Sequence, residues 1–203
     1  MKVLTAIIHR RMWQVYNMTN SIILASQSPR RRELLSVITD DFTVIPSSVE
    51  EIVPDEIDAF TSPEYLAKIK ALDIAKDYPN DIVIGADTSV FLGDFILGKP
   101  KDRQHAYGML KMLSGNTHYV ITGCAIVKGD KCVSFSVKSE VEFFPLSEEE
   151  INAYLDTDEP YDKAGSYGIQ AKGALLVKEI RGDYFNIVGL PIGELNKRLK
   201  EFE

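Results

Sequence analysis

The sequence predicts an α/β fold built on one mixed sheet. Strand-like and helix-like segments alternate along the chain without internal repeats or low-complexity linkers, the pattern of a sheet covered by helices. The stretch THYVITGCAIVKGDKCVSFSVKSEVEFFPL, residues 117–146, reads as two long strands joined by a tight turn in KGDK, and this antiparallel pair excludes a purely parallel sheet. At 203 residues and 45% hydrophobic, the chain can bury a sizeable core within one domain.

Each element has a local reason. Ile22, Ile23 and Leu24 between small residues make a buried strand over 21–25. Ser28 suits an N-cap and Pro29 an N1 position, which starts a helix running to about Ile38. FTVIPS, 42–47, reads as a strand. Ser62-Pro63-Glu64 repeats the cap-and-proline start, for a helix to about Asp77 with Tyr65, Leu66, Ile69 and Leu72 as its apolar stripe. DIVIGAD, 81–87, is a buried strand ending on an acid, and VFLGDFIL, 90–97, is a hairpin turning at Gly93-Asp94. Asp102 caps the next helix, which turns Ala106, Met109, Leu110 and Leu113 inward and stops at Gly115. After the long strands, Ser147 and Glu150 form a capping box before Ile151, Tyr154 and Leu155. EPYDKAGSYGIQAKG is a glycine-punctuated loop. Strands follow near 174–180 and 184–188, then a helix over about 191–202 carrying Ile192, Leu195, Leu199 and Phe202.

Composition narrows the function. A net charge of −7 argues against a broad nucleic-acid-binding face, and no basic stripe with interleaved aromatics is present. No apolar run is long enough to span a bilayer. An anionic ligand would need a local basic cluster against the acidic background. Cys124 and Cys132 lack metal-ligand spacing, and the KGDK turn sets Cys132 opposite Val127 rather than Cys124. They read as buried free thiols, which suits a reducing, cytoplasmic location. Residues 1–20 contain no acid and read as a leader with no part in the fold, the domain proper being 21–203. His105 and His118 have no metal spacing and read as structural.

Five features could carry chemistry. The first is SIILASQSPRRRELL: a strand, a polar loop and a helix start with Ser26, Ser28, Arg30 and Arg31. Unpaired N–H groups and guanidinium forks there suit a phosphate, whereas Arg32 belongs to the solvated face. No P-loop or dinucleotide-type glycine pattern accompanies them. The second is Asp87 at a strand end, with Lys99 a hairpin away: an acid near cations fits phosphate chemistry, holding a metal or activating water. The third is Glu50-Glu51, carboxylates of the kind a hard divalent cation takes. The fourth is Lys70, beside the apolar stripe of its helix. The fifth is YDKAGSYGIQAKG, whose glycines admit a ligand close to the backbone and whose Gln170 can read a base edge.

With these residues in view, LASQSPRRRELL, IGADTSV…LGKPKD, MLSGNTHYVITG, DKAGSYGIQ and GDYFNIVGLP occur in order, and together they resemble the Maf family of nucleotide pyrophosphatases over about residues 21–200. The resemblance implies a two-lobed α/β fold around a central cleft, similar to inosine-triphosphate pyrophosphatases. It implies hydrolysis of a nucleoside triphosphate between the α and β phosphates, with a divalent metal, Mg²⁺ or Mn²⁺. It implies Asp87 as the catalytic acid–base group and metal ligand. It further implies phosphate or metal contacts at Ser26, Arg31, Glu51, Lys70 and Lys99, with Glu51 on the metal.

Arg30, Thr88 and Gln170 stand where the family's branches differ. Their pattern resembles the branch acting on dTTP and UTP, while the 7-methyl-GTP branch carries an aromatic, a Gln and a Glu there. Modified pyrimidine nucleotides belong to the same expectation. A non-catalytic regulator of septum formation is the rival from another class, and a homodimer is a further implication of the resemblance. Two departures are Ala171, where the family has Gly, and Ser166, where Ala is usual. The methyl of Ala171 is expected to exclude an easy positive φ and to narrow the base pocket.

Overall fold

A computed structural model describes residues 21–202 of the chain; the expectation for residues 1–20 lies outside them. One seven-stranded sheet organises the molecule. Its strands are β1 (Ile22–Leu24), β2 (Phe42–Val44), β3 (Ile82–Leu92), β4 (Phe95–Leu97), β5 (Thr117–Lys128), β6 (Lys131–Phe143) and β7 (Val177–Arg181), in the order β2-β1-β3-β5-β6-β7, with β4 also on β3. β1 is parallel to both β2 and β3, while β3, β5, β6 and β7 are joined in that order by antiparallel pairings, each strand antiparallel to its neighbour. The helices are α1 (Pro29–Leu35), α2 (Ser62–Ala75), α3 (Arg103–Leu113), α4 (Glu148–Leu155), α5 (Tyr184–Val188) and α6 (Ile192–Leu199). Among the described residues no helix is long and apolar enough to cross a membrane.

The caps act as the sequence indicates. The side chains of Ser28, Asp102 and Ser147 each accept a backbone N–H of the following turn, and Ser147–Glu150 is a complete capping box. Three apolar clusters form around the long strands. One lies between α1, α6 and one face of β1 and β3; a second lies under α2 on the opposite face. The third packs α3 and α4 against the far ends of β3, β5 and β6. The two lobes therefore share their central strands.

Several expectations are corrected. Residues 81–87 and 90–97 are not separate units: β3 runs unbroken to Leu92 before the hairpin, so Asp87 sits mid-strand. Residues 184–188 are helix α5, because the Asp183 side chain caps the N–H of Phe185 and Gly189, at φ 122°, terminates it. Residues 171–176 form 3-10 turns, and the strand after them is only 177–181. On α2 the buried face is Leu66, Ala67, Ala71, Ile74 and Ala75, while Leu72 is exposed. The small residues matter: a Cβ on Gly85 of β3 would overlap the Ala67 carbonyl oxygen, and one on Gly123 of β5 would overlap the Pro63–Glu64 backbone. Helix and sheet touch backbone to backbone, so packing distance, rather than side-chain size, selects the face. Cys132 pairs with Val127 as expected, but it is exposed; only Cys124 is buried, and burial pushes its thiol up to about 12.

Candidate active site

β3 has one edge fully paired with β5, from Val83 to Phe91. Its other edge carries β1 at 82–84 and β4 at 90–92. Between them the sheet has a notch, and Asp87 and Thr88 project from it. Side chains alternate along a strand, so these two point to opposite faces, and the notch lets both reach one cleft of about 770 Å³. That cleft is lined by Ser26, Ser28, Arg30 and Arg31 from the β1–α1 segment, Glu51 and Lys70, Asp87 and Thr88, and Lys99 and Gln170; of the residues singled out from the sequence for chemistry, Glu50 is not among its lining.

On one face stand the acids. The close seat of α2 on Gly85 brings Lys70 Nζ to 2.7 Å from Asp87 Oδ1 and 2.9 Å from Glu51 Oε2. Asp87 is largely shielded; Glu51, on the irregular stretch after β2, is half-exposed.

On the other face Arg31 is woven into the protein. Nε donates to Gly189 O (2.9 Å), Nη1 to Ala86 O (2.9 Å) and Ser26 Oγ (3.2 Å), and Nη2 to Thr88 Oγ1 (3.0 Å). Four of the five donors of a guanidinium thus meet neutral oxygens, leaving one N–H for the cleft. Burial lowers the Arg31 pKa, and the Asp87 charge opposes that shift. The chain of hydroxyls continues inward: Thr88 Oγ1 lies 2.9 Å from Thr122 Oγ1, which donates to Asn186 O, so Thr88 is the donor of that pair. The Asn186 side chain closes the network on Thr122 N, Val120 O and Ser139 Oγ. Thr122, Ser139 and Asn186 went unnoticed in the sequence. Asn186 lies within the motif GDYFNIVGLP, where its aromatic and β-branched neighbours suggested a strand.

The loop carrying Gln170 is held from behind. Gly168 N donates to Tyr154 Oη (3.1 Å), and the backbone of Lys172 and Gly173 donates to Glu159. Tyr167 Oη meets His118 Nε2 at 2.7 Å inside the α3–α4 lobe; burial pushes His118 down to about 4, so the ring is neutral near pH 7. Gln170 is exposed at the cleft wall. Arg30 reaches across to Asp162 (3.1 Å), which also pairs with Lys163, and Lys99 makes no ion pair among the described residues. Ala171 does adopt a positive φ, 50°, against the expectation. It carries the cost of that conformation, so Ala171→Gly should raise stability by about 1 kcal/mol in a urea titration. An unchanged midpoint and slope would show that the turn bears no strain.

Five cations (Arg30, Arg31, Lys70, Lys99 and Lys163) and three carboxylates (Glu51, Asp87 and Asp162) line the cleft, a local positive excess in a chain of net charge −7. Among the described residues no cluster of three or more His, Cys, Asp or Glu side chains is placed to hold a metal.

A family model described as Maf-like protein matches residues 21–202. The chain belongs to the Maf family. This Maf chain is 47% identical over 185 residues to the dTTP/UTP pyrophosphatase of Bacillus velezensis, covering 91% of the chain and 98% of that protein. It is 50% identical over 185 residues to the dTTP/UTP pyrophosphatase of Bacillus cytotoxicus, covering 89% and 95%. Among solved structures, the Staphylococcus aureus Ham1 protein aligns with a TM-score of 0.55 at 17% identity over 91% of the Maf chain and all of that chain (100%). A HAM1 protein from Coxiella burnetii gives 0.54 at 17% identity, over 90% and 100%. The Maf chain and the Ham1 proteins share a fold.

Proposed function

We propose that this Maf protein is a pyrophosphatase that hydrolyses dTTP and UTP, and related modified pyrimidine nucleotides, to the monophosphate and pyrophosphate. The observation that carries the reading is the convergence of Arg30, Arg31, Lys70 and Lys99 with Asp87 on one cleft. The names of the relatives at 47% and 50% identity support the same chemistry.

Water attacks the α-phosphorus, the bond from that phosphorus to the αβ-bridging oxygen breaks, and pyrophosphate leaves with the bonding electron pair. Asp87 takes the proton of the attacking water. Lys99 and the free N–H of Arg31 meet the charge that develops on the leaving group. Thr88, whose hydroxyl is committed to Arg31 and Thr122, acts by aligning Arg31.

Asp87 and Glu51 fit a divalent cation. Their oxygens flank one point, now bridged by an ammonium, and Mg²⁺ takes one or two carboxylates with its remaining ligands from phosphates and water. Bound there, Mg²⁺ or Mn²⁺ supplies Lewis acidity and neutralises phosphate charge. The amide of Gln170 both donates and accepts, as the O4/N3 edge of uracil or thymine requires. The buried free thiol of Cys124 suits the reducing cytoplasm.

A panel of nucleoside triphosphates scored by kcat/KM tests the assignment. dTTP and UTP should exceed the purine nucleotides by at least about tenfold, worth ~1.4 kcal/mol of transition-state discrimination. Equal values for purines would overturn the base reading, and no pyrophosphate from any nucleotide would overturn the activity.

A further inference from the structure

The two carboxylates proposed for the metal already share a cation of the protein's own. Lys70 Nζ lies 2.7 Å from Asp87 Oδ1 and 2.9 Å from Glu51 Oε2, and the Lys70 and Asp87 side chains are only 13% and 14% exposed. Solvent screens such a pair weakly. We propose that Lys70 is a built-in competitor for the divalent ion. Its ammonium holds the cation position between Asp87 and Glu51 until a nucleotide arrives, so the enzyme binds free divalent cations poorly and takes its substrate as a preformed metal–nucleotide complex. This rests on the pyrophosphatase reading and names the form in which the substrate is bound.

Three features support the competition. The Lys70 ammonium cancels half of the charge that Glu51 and Asp87 would offer a divalent ion, leaving a cluster of net charge −1, and anionic phosphate must restore the attraction. No third side chain of metal-ligating type joins Glu51 and Asp87 among the described residues, so the protein alone supplies fewer ligands than the ion needs and the phosphates must complete the set. Lys70 also has somewhere to go. Its helix is fixed, because Ala67 and Ala71 on either side of it abut Gly85, but its four-carbon stem is flexible and its three donors can turn from carboxylate to phosphate oxygens. Glu51, 53% exposed on an irregular segment, can follow the ion as the ammonium departs. A plain structural ion pair predicts none of the metal behaviour that follows.

The test is a Mn²⁺ titration of the full chain, with free Mn²⁺ read by electron paramagnetic resonance. It is done with and without a dUTP analogue carrying an imido bridge between the α and β phosphorus. Without nucleotide, Lys70→Met should bind Mn²⁺ at least about tenfold tighter than the wild type, because one repelling charge is gone. Lys70→Arg, which keeps the charge, should stay within about threefold of the wild type, and adding Glu51→Gln to Lys70→Met should abolish the gain. With the analogue the wild type should bind Mn²⁺ tightly, and the advantage of Lys70→Met should shrink below about threefold. Thermal melts confirm that each variant is folded, and Lys70→Gln replaces Lys70→Met if the latter is not. Tight Mn²⁺ binding by the wild type with the analogue, but no gain in Lys70→Met without it, overturns the competition and leaves the pyrophosphatase reading intact. Failure of both proteins to bind Mn²⁺ even with the analogue overturns the metal assignment, and the competition falls with it.

Discussion

Asp87→Asn should lower kcat on dTTP and UTP by about 10²–10⁴-fold, the range in which positioned general bases contribute, while a non-hydrolysable dUTP analogue still binds within about threefold. The substitution keeps the shape of the side chain and an oxygen for Lys70, which now sits 2.7 Å from Oδ1. It removes the negative charge and the capacity to accept a proton. Uniform loss of binding and turnover would instead place Asp87 in ground-state recognition. The variant is measured by pre-steady-state release of pyrophosphate and by titration with the analogue. Full activity would remove Asp87 from the chemistry.

Gly85→Ala should be strongly damaging, because a single methyl there meets backbone rather than a movable side chain. The new Cβ would overlap the carbonyl oxygen of Ala67 and come 2.9 Å from Ala71 N. Neither is a flexible side-chain end, so α2 must move as a body. Overpacking of this kind costs about 3 kcal/mol, and the Tm should fall by roughly 6–12 °C for a domain of this size. Lys70 rides on the displaced turn, so its contacts to Asp87 and Glu51 open and turnover should fall by more than the stability loss accounts for at a temperature where the variant is folded. A Tm within about 2 °C of the wild type would show that the helix can slide at little cost. Gly108, whose Cβ would meet nothing within 4 Å, is the control: Gly108→Ala should leave both stability and turnover unharmed.

These two residues also mark what the sequence made legible. Gly85 and Asp87 stand in the same motif, and the site residues drawn from such motifs all reach one cleft. The hydrophobic periods of α3, α4 and α6 gave their buried faces, because large side chains decide the packing there. α2 resisted the same reading, since its contact with the sheet is made by alanines and backbone, and its larger residue Leu72 remains outside. Asp87 suggested a strand end because a carboxylate in a central strand is costly. The structure lifts that cost by stopping β1 opposite Ile84 and pairing Asp87 with Lys70. α5 was hidden by the β propensity of Tyr, Phe, Ile and Val, which the Asp183 cap and the buried Asn186 network override. Arg31 read as a phosphate fork; only the fold reveals that most of its donors hold β3, Ser26 and Gly189 together.

β3 and β5 pass without interruption beneath both apolar lobes. Among the described residues no hinge separates the halves, since bending them apart would mean breaking a ladder that pairs Val83 through Phe91 with its neighbour. Adjustment to a substrate therefore falls first to the irregular segments bearing Glu51 and Gln170, which no strand ladder restrains. By the same token heat should melt both halves in a single cooperative step.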